Sequence, residues 1–512
     1  MRASPADPSG AAPGSTREAS FGSVAAKGSI INTLQWFVNK LITALAMLLL
    51  ARFLVPEDYG VANQALAITQ FLVIFFPLTM GDVLIAHPRE FDRLMPTARR
   101  LALAIGAGTC LTILLCIPLF VRIYDSYPAR WLAGLIAIAS LRPILDALLM
   151  VPLARMRIQL QYRRIALIDG AIQFLATTLS LLFGVFGLRG VSLVAPQVFG
   201  TCLRAVWYRR SMQRTETSRF SWSVANLLMR AYLPAASAQY LHNLIVMLEI
   251  LVLGYVAGDY ETGLFAFAFQ VAAQANTVVA YQLGVVLQPI FGHLRDDPAR
   301  QVAGFLRVQR VLGLVCVPIS MAQALLAEPL FRIAFPSKYL PAVTIFQVVS
   351  LAQAFYFATG PSMSCLRSQR RFMTFLIWQG VQFAVSFPLY WIGARWSGAL
   401  GVSLASAGVW ATSAPIVVWL CARVAPGRHS GTVATIFLKP WLISTPVFVA
   451  AYAAVHWLAE FGKIGDLIAV FGLGPFSALL AIGSSTFFDV ELRALRDRGI
   501  AMVSAKWRHG RH

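Results

Sequence analysis

The chain has 512 residues, of which 58% are hydrophobic and 13% charged, with a mean hydropathy of +0.67. Its 43 Lys and Arg outnumber 22 Asp and Glu, for a net charge of +21. On a water-soluble protein that surplus would point to nucleic acid, but repeated apolar runs of ~18–25 residues place this chain among multi-pass membrane proteins.

Residues 1–27 are rich in Ser, Pro, Gly and Ala and have no apolar core, so they read as a disordered cytoplasmic tail rather than a cleavable signal peptide. Fourteen apolar runs follow, near 28–54, 60–85, 101–121, 131–153, 165–187, 190–208, 231–256, 263–291, 308–327, 341–365, 373–394, 398–422, 435–457 and 465–488. The basic residues are sorted between the loops that join them. The N-terminal tail and every second loop after it hold 33, whereas the alternate loops hold only Arg52, Arg122, Arg130, Arg189, Arg332, Lys338, Arg395 and Lys463. Lys and Arg collect on the cytoplasmic side of membrane spans. Both termini are therefore expected in the cytoplasm, which requires an even number of spans, and fourteen satisfies it. A nucleic-acid-binding surplus would not alternate in this way, so no nucleic-acid partner is expected. The six cysteines lie in or beside apolar runs without a C-x-x-C pair, which argues against a disulfide framework or a zinc site.

The chain also echoes itself. Ala51–Gly60 (ARFLVPEDYG) and Gly254–Gly263 (GYVAGDYETG) are short acidic turns closed by glycine, offset by 203 residues. Gly190-Val191-Ser192-Leu193 returns as Gly401-Val402-Ser403-Leu404, and Arg157 and Arg367 fall at matching places in basic loops. A repeat of six spans inserts twice with the same orientation, giving two parallel lobes related by an axis along the membrane normal. The expected architecture is an all-α polytopic membrane protein with about 14 transmembrane helices. It comprises a first lobe over 28–211, a cytoplasmic linker over 212–230 and a second lobe over 231–424. Two further spans over 425–488 and a basic cytoplasmic tail over 489–512 complete it.

Several strings carry a family resemblance. ARFLVPEDYG at 51–60 resembles the turn after the first span of polysaccharide transporters in the multidrug/oligosaccharidyl-lipid/polysaccharide (MOP) flippase superfamily. Pro152–Gly170 (PLARMRIQLQYRRIALIDG), Glu249–Gly263, Leu294–Pro298 (LRDDP) and Leu326–Leu330 (LAEPL) are similar to further strings of that family, in order, across about 28–425. These motifs are architectural and carry no substrate code. The resemblance implies a non-enzymatic flippase of the bacterial inner membrane that moves polyprenyl-diphosphate-linked oligosaccharide outward for exopolysaccharide, capsule or O-antigen synthesis. It further implies contact with membrane lipids, a polysaccharide polymerase and a chain-length regulator as partners, and a coupling H+ or Na+ with no other cofactor.

Such a transporter needs a wet cavity for sugars and cations for the diphosphate. Asn32, Gln35, Asn39 and Thr43 share one face of the first span, Gln239, His242 and Asn243 cluster on the seventh, and Gln270, Gln274, Tyr281 and Gln288 align on the eighth. Hydrogen bonding between helices of one lobe would leave the same pattern. Two cations belong to no loop: Lys40 and Arg142, each with ~18 Å of helix on both sides. A mid-span cation costs at least ~2.5–3.5 kcal/mol to insert, so each is expected in a satisfied or wet place. Lys40 beside the polar stripe is a candidate diphosphate contact, with backbone carbonyls as the other possible partner. Arg142 has Asp146 one turn on, an ion pair that is either structural or a diphosphate site with a competing carboxylate. Glu249, mid-span in the seventh run, is the second candidate beside Asp146 for ion coupling. Asp82 and Asp169, near helix ends, read as solvated or capping carboxylates.

Other classes fit less well. No G-x-x-x-x-G-K-[ST] string exists for an ATP-driven exporter. A membrane polymerase or glycosyltransferase would want a large aqueous loop with carboxylates, and the longest basic loop (about 209–230) holds only Glu216. A drug or organic-cation antiporter and a lipid II flippase of the same superfamily are the nearest competitors.

Overall fold

The computed structural model describes residues 38–39, 41–124, 129–159, 161–210, 220–294, 297–369, 371–427 and 429–488. The two tails, Asn32, Gln35 and Lys40 lie outside the described residues, as do the side chains of Tyr281 and Gln288.

Every regular element among the described residues is helical. The chain opens with α1 (Leu41–Phe53), α2 (Pro56–Leu72) and α3 (Pro77–Ala86), the last two meeting at 54°. It continues through α4 (Phe91–Ile123), α5 (Ala129–Ala139), α6 (Arg142–Ile158), α7 (Tyr162–Val185) and α8 (Val191–Arg210). Next come α9 (Trp222–His293), α10 (Pro298–Leu325), α11 (Ala327–Ala334), α12 (Ala342–Tyr356) and α13 (Thr359–Ser368). The chain ends in α14 (Phe372–Ala422), α15 (Ser430–Ala459), α16 (Gly462–Ile468) and α17 (Gly474–Phe488). Among the described residues nine runs are long and apolar enough to cross a membrane, or ten if α2 and α3 form one bent span, against the fourteen expected from the sequence.

Two of those runs double back. In α14 a Cβ added to Gly401 would lie 1.9 Å from the Gly393 carbonyl oxygen, yet eight residues of straight helix cover about 12 Å. The reversal falls at Ser397 and Gly398, where Gly398 has φ of +53°. In α9 it falls at Gly258, with φ of +81°. There Glu249 and Phe269, about 30 Å apart in a straight helix, line one small void. Glu261, just beyond that turn, accepts from the Ala399 backbone N–H at 2.9 Å. It thus places a carboxylate at the N-terminus of the returning half of α14, where the helix dipole favours negative charge.

Helix breaks dictate much of the packing. α2 stops at Leu72, and the bend before α3 leaves the Phe71 carbonyl outside the regular ladder, while the Phe76 carbonyl keeps one bond, from the Thr79 N–H, and a free lone pair. In hydrocarbon such groups cost several kcal/mol each, so other side chains must reach them. Tyr240 and Tyr232 of α9 do so, donating to the carbonyls of Phe71 and Phe76 at 3.1 and 3.2 Å. The first half of α9 is in this way fastened to the first lobe.

The chain turns Ala51–Gly60 and 254–263 meet face to face. A Cβ on Gly60 would lie 1.9 Å from the Asp259 carbonyl oxygen, and one on Gly263 would lie 1.7 Å from that of Pro56. Adding the 203-residue offset to 56 and 60 gives 259 and 263, so each repeat's glycine receives the other repeat's backbone at the matching residue. Around this contact Gln64 Nε2 donates to Asp259 Oδ1 at 2.8 Å and Tyr339 Oη donates to the Leu54 carbonyl at 2.9 Å. The buried Tyr59 ring sits edge-on to Phe267 and Tyr339. By the sorting of basic residues along the sequence this is the end of the spans poor in Lys and Arg; the opposite end, where Arg155 and Arg157 meet Asp92 and Asp82, is called the basic end below.

Gly263→Ala should therefore lower the thermal unfolding midpoint of the detergent-purified protein, by the ~1–3 kcal/mol typical of overpacking. Gly108→Ala, where an added Cβ meets nothing within 4 Å, is the control. Equal midpoints for the two variants would show that the contact is not close-packed.

Candidate functional site

A cavity of about 350 Å³ with mixed polar and apolar lining lies between the first lobe and the second half of α9, with Tyr59 beside the Gly60–Gly263 contact among its lining. Three helices form its walls. From α1 come Thr43, Ala46, Met47 and Leu50; from α7 come Gln173, Ala176, Thr177 and Ser180. From α8 come Leu193, Pro196, Gln197, Gly200, Thr201 and Arg204. The polar members recur at spacings of three and four, so Gln173, Thr177 and Ser180 share one face of α7 and Gln197, Thr201 and Arg204 share one face of α8. Tyr59 closes one end, Gln270 and Gln274 reach in from the second half of α9, and Arg142 enters from the start of α6.

Arg142 stands where the fourth span breaks. α5 ends at Ala139, Ser140 and Leu141 form a turn, and Pro143 occupies the second position of α6. Irregular backbone at membrane depth is tolerated where it lines a cavity, and such discontinuous helices often mark binding sites in transporters. Arg142 Nε lies 3.9 Å from Asp146 Oδ2, a loose pair in which the Arg142 side chain is 46% exposed. Arg204 is the second cavity cation. Its Nε lies 3.3 Å from Asp169 Oδ1 without hydrogen-bond geometry, and Tyr208 Oη donates to the same oxygen at 3.0 Å.

Of the residues expected from the sequence, Arg142 and Gln274 meet in this cavity, and Asp146 is paired with Arg142. Asn39 is half-buried one turn from Thr43, and its carbonyl accepts from the Thr43 hydroxyl at 2.8 Å, so the α1 stripe extends from the cavity wall. Asn243 lies elsewhere: its Oδ1 accepts from Gln239 Nε2 at 3.0 Å along α9. His242 turns toward Gln379 inside the second lobe, at 3.4 Å. Arg204 was not singled out by sequence reasoning because it precedes Arg209 and Arg210 and joins them in the loop count. Its signal is the Gln197, Thr201, Arg204 stripe on a helix that continues to Arg210. Asp169, expected to be capping or solvated, is instead bound to Tyr208 and Arg204.

Glu249 occupies a different place. It is buried in the second lobe, where Ser406 Oγ donates to its Oε1 at 2.5 Å. Beside it is a void of about 20 Å³, lined also by Gln353, Tyr356 and Trp410, roughly the space of one water. Among the described residues no group of three or more His, Cys, Asp or Glu could hold a metal.

Comparison with known proteins places this geometry. Residues 49–344 match the family described as polysaccharide biosynthesis protein. The chain belongs to that family. The succinoglycan biosynthesis transport protein ExoT of Rhizobium meliloti (strain 1021) is 23% identical over 417 residues, 79% of each chain. Among solved structures, the lipid II flippase MurJ in an inward closed conformation superposes with a TM-score of 0.70, at 13% identity, over 90% of this chain and 98% of that one. An inward-facing multidrug resistance MATE family transporter of the MOP superfamily gives 0.59, at 11% identity, over 78% of this chain and 95% of that one. This member of the polysaccharide biosynthesis family is thus a multi-pass membrane protein with the fold shared by these MOP superfamily structures, as its sequence strings implied.

Ser406→Ala should cost ~1–3 kcal/mol, because it removes a hydroxyl donor from a buried carboxyl. The measurement is the thermal midpoint in detergent, and an unchanged midpoint would show that this hydrogen bond does not hold the second lobe together.

Proposed function

We propose that this polysaccharide-family transporter flips a polyprenyl-diphosphate-linked oligosaccharide from the cytoplasmic to the outer leaflet of the bacterial inner membrane. The observation that carries the reading is the presence of Arg142 and Arg204 in one cavity whose other polar lining is amides and hydroxyls, interspersed with aliphatic side chains. Guanidinium groups recognise phosphate oxygens through paired, charge-assisted hydrogen bonds. Gln, Thr and Ser side chains present the mixed donors and acceptors that sugar hydroxyls require. A drug exporter for organic cations would gain nothing from two arginines, whose charge repels its cargo.

The basic end then faces the cytoplasm, as the sorting of Lys and Arg supports. The two lobes would rock about the Gly60–Gly263 contact, opening the cavity to alternate sides. Glu249, in its own lobe and away from the cavity, would carry the coupling H+ or Na+. Lys40, outside the described residues, is kept from the sequence as a further candidate for the diphosphate.

The test is export in cells lacking the native copy. Arg142→Ala and Arg204→Ala should each reduce polymer export by about tenfold or more, since a lost charge-assisted hydrogen bond of ~1.5–3 kcal/mol corresponds to that factor. Membrane abundance should hold while lipid-linked oligosaccharide accumulates in the cytoplasmic leaflet. Lys40→Ala and Glu249→Gln should also impair export. Normal export in both arginine variants would remove the cavity from the function.

A further inference from the structure

Three ion pairs of the first lobe form one series, from the cavity toward the basic end, apart from Arg155–Asp92 and Arg93–Glu90 at that end. Arg142 pairs with Asp146 at 3.9 Å, Arg204 with Asp169 at 3.3 Å, and Arg157 with Asp82 at 3.7 Å. The pairs are linked as well. Asp146 lies within electrostatic range of Arg204 as well as Arg142, and Asp169 within range of Arg157 as well as Arg204. Sign alternates at every step: Arg142, Asp146, Arg204, Asp169, Arg157, Asp82. Arg142 and Arg157 stand fifteen residues apart on α6, so the series spans about 22 Å along the lobe. Exposure of the carboxylates rises along it, from 17% at Asp146 to 37% at Asp169 and 69% at Asp82.

Topology alone accounts for Arg157, near a helix end. It does not account for three aspartates threaded between three arginines, one of them held in place by Tyr208. Each pair is long for a charge-assisted hydrogen bond, whose usual length is about 2.7–2.9 Å. Loose, partly exposed pairs are worth little, commonly ~0–1 kcal/mol. A diphosphate, with several oxygens matched to guanidinium forks, would outcompete a single carboxylate at each arginine. Arginines alone would hold that anion too tightly to let it move on.

We infer that this series is a track for a diphosphate head group, which binds first at Arg157, then at Arg204 and then at Arg142, displacing one aspartate at each step. The inference rests on the reading of the cavity given above. Asp169 and Asp146 are positioning residues: they keep the arginines charge-compensated and oriented while the track is empty, and they repel the anion once it has passed. Removing such a carboxylate should therefore strengthen binding and slow transport, the reverse of what loss of a structural ion pair would do.

The experiment uses the full chain in lipid nanodiscs, titrated calorimetrically with farnesyl diphosphate and, separately, with inorganic pyrophosphate. Arg204→Ala should weaken farnesyl diphosphate by about tenfold or more, and Arg204→Lys should restore part of it. Asp169→Asn should tighten it by about threefold to tenfold and lower turnover in reconstituted liposomes. Thermal midpoints identify any variant that has merely lost its fold, and Arg204→Lys and Asp169→Asn keep the shape of the site. Binding that depends on Arg142 but is unchanged or weakened in folded Asp169→Asn overturns the track and leaves the cavity reading in place. Pyrophosphate bound while farnesyl diphosphate is not also overturns it. Failure of the wild type to bind either probe removes the cavity reading and the track together.

Discussion

Hydrocarbon offers no hydrogen bonds, and that single constraint organises this protein. Wherever a span breaks, its orphaned carbonyls need partners or water. The break between α2 and α3 is answered by tyrosines of α9, which fastens the first helix of one lobe to the body of the other. The break between α5 and α6 is answered differently. It opens beside a polar cavity and places Arg142, a residue that bare lipid would expel, at the edge of that space. Architecture and binding chemistry thus share one cause.

The two lobes repeat each other in path but not in chemistry. The fourth span of the second lobe is also interrupted, between α12 and α13, yet the offset that matches Arg157 to Arg367 puts Ala352 opposite Arg142. The second lobe's buried carboxyl, Glu249, is met by Ser406, and its neighbours Tyr356 and Trp410 are aromatic. One lobe holds cations at a cavity of about 350 Å³ and the other holds an acid beside a space the size of a water. The same helical path therefore carries a different charge in each lobe.

How much of this was legible in the sequence depended on distance along the chain. Arg142 and Asp146 could be read because four residues on a helix are neighbours by geometry. The family strings and the paired turns could be read because order and spacing survive in one dimension. Arg204 could not be separated from Arg209 and Arg210, because positive charge near a helix end has a sufficient explanation in topology. Asp169 looked like a helix-end carboxylate because its partners, Arg204 and Tyr208, sit on the next helix, and only the register of α7 against α8 brings them together. The polar cluster on α9 was legible as a pattern but not as a direction: Asn243 bonds within its own helix and His242 faces Gln379.

The contact between Gly60 and Gly263 has the form of an isologous interface, in which residue i of one copy meets residue j of the other and j meets i. Pro56 against Gly263 and Asp259 against Gly60 obey that rule inside one polypeptide. Two separate six-helix chains meeting on a two-fold axis would touch in the same way. Each half is thus fitted against the other's backbone, and a side chain at either glycine would meet it. The tolerance of one half to change at this seam is set by the other.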